Sequence, residues 1–276
     1  PYKKNFFIFG IAFGFGFYFS GISWITNSLT FDDNFKNFIP FALILIPLFL
    51  SLFLGFTILL IGPYLKLNFS SVLLFSAGVS ISDYLRANVF TGFPWNLWAY
   101  STTSINEILQ ILNLIGLFTY NLLVVTVFTL PIILIFKINN IKKLFSTSLF
   151  IFVIFSLYIY GNFNINKNRD LLSNYENKTY VKIISPNFDL KYGLSIKEIE
   201  ERFKKLIRYS DPDKDKKTLF IWPEGVFSGY SYDEILNFKD LVLNNFSKKH
   251  HIIFGVNKLD KFSGNFYNSM IVINNK

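Results

Sequence analysis

Through residues 1–162 the apolar positions run together instead of alternating with polar ones. Five runs reach the ~20 residues that span a ~30 Å hydrocarbon core. They cover 6–27, 38–61, 69–90, 106–136 and 144–161. Residues 37–65 and 108–136 hold no charged side chain, and a helix buried in a soluble protein is rarely so long and so apolar. From residue 178 the periodicity changes. TYVKIISPN (179–187) reads as a β-branched strand stopped by Pro186, and TLFIWPEG (218–225) as a second stopped by Pro223. HHIIFGV (250–256) and NFYNSMIVIN (265–274) read as two more. Ile196, Ile199, Phe203 and Ile207 mark an amphipathic helix over 194–209, and another is predicted over 232–247. Strands alternating with helices predict an α/β sheet layer. The expected organisation is a helical membrane domain (1–162), a connector (163–177) and a partial α/β domain (178–276).

Charge sharpens this division. Residues 1–162 hold 8 of the 27 basic and 4 of the 18 acidic side chains, and the remainder has the composition of a soluble domain. With 16% charged residues against a usual ~25%, the whole surface cannot face water. The net charge of +9 forms no stripe of the kind nucleic acid requires, so nucleic-acid binding is excluded. Lys3, Lys4, Lys66, Lys137, Lys142 and Lys143 fall on one side if the spans alternate. Lysines in short loops mark the cytoplasmic face, which puts everything after residue 162 outside the cytoplasm. The first span is too long, and lacks the small-residue cleavage site, for a secretory leader.

Few residues offer chemistry. The absence of cysteine removes disulfides, thiolate metal sites and a thiol nucleophile from these residues. Asp83 and Arg86 lie three apart in the third run, either as an ion pair anchoring the helix or as a functional pair. FTGFPWNLWAYS (90–101) follows, where Gly92 and Pro94 break the helix and Trp95, Trp98 and Tyr100 suit a membrane interface. Glu224 leaves the end of an apolar strand, the edge where open α/β sheets place their sites. Flanked by Trp222, Pro223 and Phe227, its charged form is expected to be disfavoured by desolvation, as a general base requires. The alternative is a partly exposed glutamate capping the next helix. His250 and His251 point to opposite faces of a strand and cannot share a metal. They are expected at a solvent-exposed strand entry, and neither a metal nor a cofactor is expected.

Five segments, in this order, resemble apolipoprotein N-acyltransferase: GFGFYFSGISWI (14–25), LRANVFTGFPWNLWAYS (85–101), VKIISPN (181–187), FIWPEG (220–225) and FYNSMIVI (266–273). The helix-loop-GFPWN stretch is specific to that family, whereas Trp-Pro-Glu after a strand is shared with the wider nitrilase superfamily. The resemblance implies a multi-pass bacterial inner-membrane protein with a nitrilase-like αββα sandwich on the periplasmic side. It implies transfer of an acyl chain from a membrane phospholipid to the N-terminal amine of a diacylglyceryl-cysteine lipoprotein, by a monomer using a Glu-Lys-Cys triad.

Glu224 matches the family's Glu, while Trp95, Arg86 and Tyr192 are expected to face lipid or substrate. The family's Lys and Cys lie beyond the Tyr-Asn-Ser strand, and this chain stops seven residues after Ser269. The chain therefore reads as a fragment lacking both ends, inactive on its own. The competing readings are a membrane-tethered amidase or other acyltransferase, and a non-catalytic membrane scaffold. A transporter is disfavoured because the paired broken helices of such folds are missing.

Overall fold

The computed structural model describes residues 2–275 apart from 91, 176–178, 190 and 192. It divides into two compact units, Pro1–Ser173 and Asn174–Lys276.

In the first unit, α1 (Tyr2–Ile22) runs into a 3₁₀ helix (Ser23–Thr30), and α2 (Ile39–Ile61) starts with Pro40 in its first turn. Helices α1 and α2 pack backbone to backbone. A Cβ on Gly10 would lie 2.8 Å from both the Gly55 Cα and the Leu54 carbonyl oxygen, so hydrogen is the only side chain the crossing admits. Helix α3 (Phe69–Asn88) is capped by Asn68, whose side chain accepts from the Ser71 N–H at 2.9 Å. Among the described residues, four helical stretches are long and apolar enough to cross a membrane: Lys3–Thr30, Asp33–Tyr64, Leu112–Leu134 and Asn140–Ser173. Helix α3, expected among them, is formed but is not one of the four. It carries Ser76, Ser80, Ser82, Asp83 and Arg86 on a buried face, which lowers its apolarity.

The run expected as one helix over 106–136 is broken. It consists of α4 (Asn106–Leu109), α5 (Leu112–Thr129) and a 3₁₀ helix from Leu130 to Leu134. Gly116, at φ 72°, kinks α5, and Pro131 stands where regular helix gives way. Helix α6 (Asn140–Ser173) is continuous through most of the stretch expected as a connector. Gly161 on α6 lets the backbone of α4 approach at Glu107.

The second unit is a four-stranded sheet of order β1-β2-β3-β4: β1 (Tyr180–Ile183), β2 (Thr218–Ile221), β3 (His250–Leu259) and β4 (Phe266–Asn274). The first three strands are parallel and β4 is antiparallel to β3. The parallel connections run through α7 (Ile196–Ser210), then through α8 (Tyr232–Ile235), a 3₁₀ turn and α9 (Lys239–Asn245). The single helix expected over 232–247 is thus divided. One sheet face is filled by Ile199, Phe203 and Leu206 of α7 against Phe220, Trp222, Ile252 and Phe254. Truncating a buried Phe such as Phe203 costs about 3–5 kcal/mol. The opposite face carries Val181, Ile183, Met270 and Val272, all exposed within this unit. Parallel strands are normally covered on both faces.

His250 is buried, not at the solvent-exposed strand entry expected from the sequence. Its Nδ1 accepts from the Ser247 N–H at 3.0 Å, so the Nε2–H donates to the Asp213 carbonyl at 2.9 Å. The ring sits edge-on to Phe220 and Phe246. His250 is a structural residue of the core.

The closeness of α1 and α2 is testable. Gly10→Val should destabilise the purified protein by about 1–3 kcal/mol, read as a lowered thermal midpoint in detergent. Gly16→Ala, where a Cβ would meet nothing within 4 Å, should leave the midpoint unchanged or raised.

Candidate functional site

Glu224 owes its position to the way β2 ends. The Trp222 N–H still donates to the Ile253 carbonyl at 2.8 Å, and its indole Nε1–H reaches Ser210 Oγ at 3.0 Å inside the core. Pro223 then stops the ladder, and Gly225, at φ 72°, turns the chain away. Glu224 is left between them at the carboxyl edge of the parallel strands, exposed rather than enclosed. Trp222 and Phe227, expected to enclose it, turn into the core instead.

Two residues fix the carboxylate. Asn268 of β4 donates its Nδ2–H to Glu224 Oε1 at 2.8 Å. Gly255 of β3 leaves the space the side chain occupies, since a Cβ there would stand 3.0 Å from Glu224 Cγ. The glycine inside the 250–256 strand pattern was a readable sign of close approach. The Asn268 partnership had no sequence signal, because it depends on the register of β4 on β3, where Asn268 pairs with Asn257.

A groove of about 340 Å³ opens beside Glu224, lined among others by Ser185, Pro186, Phe188 and Ser228. Its walls are the loops following β1 and β2, and Arg202 of α7 ties them together. The guanidinium donates to the Val226 carbonyl and to the Asp189 carbonyl, each at 2.8 Å, and lies 4.7 Å from the centre of the Phe188 ring. Lys191 also lines the groove but is engaged by Glu198 in an ion pair. Tyr192 lies outside the described residues. Among the described residues no group of three or more His, Cys, Asp or Glu is placed to hold a metal.

The other constellation lies in the helical unit, and there the expectation for Arg86 is corrected. Arg86 is 1% exposed and cannot present its charge to lipid. It bonds Asp83 Oδ1 at 3.0 Å and caps two loop carbonyls, Phe93 at 2.5 Å and Trp95 at 2.7 Å. The free Asp83 oxygen accepts from Asn121 Nδ2 of α5 at 2.9 Å, and Asn121 Oδ1 accepts from the Ala99 N–H at 2.9 Å. Tyr18 of α1 lies under the guanidinium, its ring centre 5.1 Å away. Trp98 stacks on Phe17 at 4.4 Å. The loop that closes this circuit presents Trp95, 52% exposed and edge-on to Trp24. Tyr18 and Asn121 were not singled out from the sequence. A lone amide in the uncharged run 108–136 was the signal available for Asn121.

Comparison with known proteins bears on this circuit. Residues 2–130 match the model described as the apolipoprotein N-acyltransferase N-terminal domain. Over these residues the chain is similar to apolipoprotein N-acyltransferases. The protein of that name from Brucella melitensis is 36% identical over 126 residues, 45% of this chain and 24% of the relative. Those from Agrobacterium fabrum and Rhodopseudomonas palustris are each 32% identical, over 123 and 127 residues, or 44% and 46% of this chain. The match spans about a quarter of the length of these relatives. Tyr18, Asp83, Arg86, Trp95 and Asn121 all fall inside the segment matching the N-acyltransferase domain, and Glu224 falls outside it.

Arg86→Leu should leave Asp83 as an uncompensated buried charge, a loss of about 3–5 kcal/mol, seen as collapse of the folded yield and thermal midpoint. Arg86→Lys should recover little, because an ammonium lacks the fork that spans Asp83 and two carbonyls.

Beside the groove, the α7 capping box gives a pH prediction. Glu198 is held down to about 2, first by Lys191 and then by the Ser195 N–H and hydroxyl. Because the folded value is depressed, its contribution is complete above the ordinary 4.5 and is lost as pH falls toward 2. The difference in thermal midpoint between the parent and Glu198→Gln should therefore shrink across that window and stay constant above it.

Proposed function

We propose that this chain is part of a membrane-embedded apolipoprotein N-acyltransferase, moving a fatty acyl chain from a phospholipid to the N-terminal amine of a diacylglyceryl-cysteine lipoprotein. What carries the reading is the presence, on one chain, of the N-acyltransferase match over residues 2–130 and a carboxylate at the carboxyl edge of a parallel sheet. The helical unit spans the bacterial inner membrane. Its lysine-rich loops are cytoplasmic, and the sheet unit is periplasmic, working as a monomer. The exposed face of Val181, Ile183, Met270 and Val272 fits one layer of a nitrilase-like αββα sandwich.

In this mechanism Glu224 is the general base. It takes the proton from a cysteine thiol, and the thiolate attacks the phospholipid ester carbonyl. The lysophospholipid alkoxide leaves with that proton, and a lysine stabilises the oxyanion on the way. The lipoprotein amine then attacks the thioester carbonyl and releases the thiol. These 276 residues contain no cysteine, so the nucleophile comes from outside them. Asn268 and Gly255 hold the base, and Trp95 lies at the interface where acyl chains approach.

Expressed in its full reading frame in a bacterium depleted of its own N-acyltransferase, the protein should restore lipoprotein N-acylation, measured by mass spectrometry of the lipoprotein N-terminus. Glu224→Gln should lower the rate by about 10²–10⁴ while leaving the amount in the membrane fraction unchanged. The 276 residues alone should form no thioester. Full activity of Glu224→Gln, or turnover by the cysteine-free chain, would overturn the mechanism.

A further inference from the structure

One end of the helical unit is purely cationic. Phe6 of α1 packs on Gly62 just after α2, which brings Lys3 and Lys4 to the end where Lys66 lies. Val72, Leu130 and Ile133 pack with Phe136 and Phe150, joining the start of α3, the end of α5 and α6 at that same end. Lys137, Lys142 and Lys143 belong there as well. The segments 1–4, 62–68 and 135–143 carry these six lysines and no carboxylate.

A groove of about 330 Å³ opens at this end between α3 and the end of α5. Val72, Phe75, Ile132 and Phe136 form its apolar wall, with Lys66 at its margin. Its two hydroxyls are already committed. Ser71 Oγ accepts from the Lys66 N–H at 2.7 Å and donates to Asn68 Oδ1 at 3.0 Å, and Thr129 Oγ1 is shared between Ser76 and its own helix. The groove thus offers an occupant apolar contact along its length and an ammonium at one end.

We propose that this groove binds one acyl chain of an anionic phospholipid, with the headgroup phosphate on Lys66 and the neighbouring lysines. The site is distinct from the acyl-donor chemistry at Glu224. It rests on the membrane reading above only in requiring that the unit sit in a bilayer. A zwitterionic lipid fits less well, because its added ammonium meets six cations and no carboxylate. A polar metabolite fits less well still, since the hydroxyls are spent.

The purified chain, reconstituted with equal phosphatidylglycerol and phosphatidylcholine and then stripped with detergent, should retain phosphatidylglycerol in at least about fivefold preference, read by native mass spectrometry. Lys66→Gln should reduce that preference several-fold. Val72→Trp, which fills the groove, should abolish retention of both lipids. Lys36→Gln, at the opposite end, should change nothing. Equal retention of the two lipids overturns the proposal, and so does undiminished retention in Val72→Trp protein with a parental thermal midpoint. If Val72→Trp fails to fold, Lys66→Gln decides. Carbonate extraction separates the two readings: a chain released from membranes sinks the membrane reading, whereas a carbonate-resistant chain without lipid preference sinks only this one.

Discussion

A buried Arg–Asp pair in an otherwise apolar helical unit is the constraint around which that unit is organised. Burying two charges costs more than their attraction returns unless every remaining donor and acceptor is used. Here most are. Asp83 receives both Arg86 and Asn121, and Arg86 also satisfies two carbonyls of a segment with no secondary structure to satisfy them. Irregular backbone survives in an apolar environment only when its polar groups are met in this way. The loop over 92–99 is therefore held by the ion pair, and the ion pair is sheltered by the loop. Removing either exposes the other.

The sheet unit solves its placement problem differently. Glu224 is exposed and held by geometry: a proline to end the strand, a left-handed glycine to turn the chain, a second glycine to leave room, and one amide to orient an oxygen. Arg202 does for the groove loops what Arg86 does for the loop of the helical unit, bridging carbonyls through its planar fork, but at a partly exposed site where the electrostatic stakes are lower.

The legible and illegible parts of this molecule divide by how local their causes are. Uncharged runs and strand-stopping prolines act within a few residues, so the helices at 39–61 and 69–88 and the strand at 250–259 could be read directly. Glu224's place at a strand end was readable for the same reason. Its exposure was not, because that depends on which way the Trp222 and Phe227 rings turn. The break at Gly116 was hidden, since apolar periodicity continues across it. His250 was misread because its partners, Asp213 and Ser247, come from flanking loops that only the fold brings together. Arg86 was recognised as unusual and its ion pair with Asp83 was one of the two readings, but the lipid-facing direction was wrong. A charge in an apolar run looks the same whether it faces outward to lipid or inward to a loop, and only the positions of Asn121 and the Phe93 and Trp95 carbonyls decide.

The polar face of α3 also constrains how the protein is made. A buried charge is costly until the groups that partner it are in place. Helix α3 carries Asp83 and Arg86, together with four buried serines, and is less apolar than its neighbours. Tyr18 is synthesised before it, but Asn121 and the loop carbonyls come after it. Along the route set by chain order, α3 must wait beside α1 and α2 with its charges only mutually paired until α5 emerges. Completion of this circuit is thus a delayed event, and the order of synthesis is built into where the amide and the loop fall in the sequence.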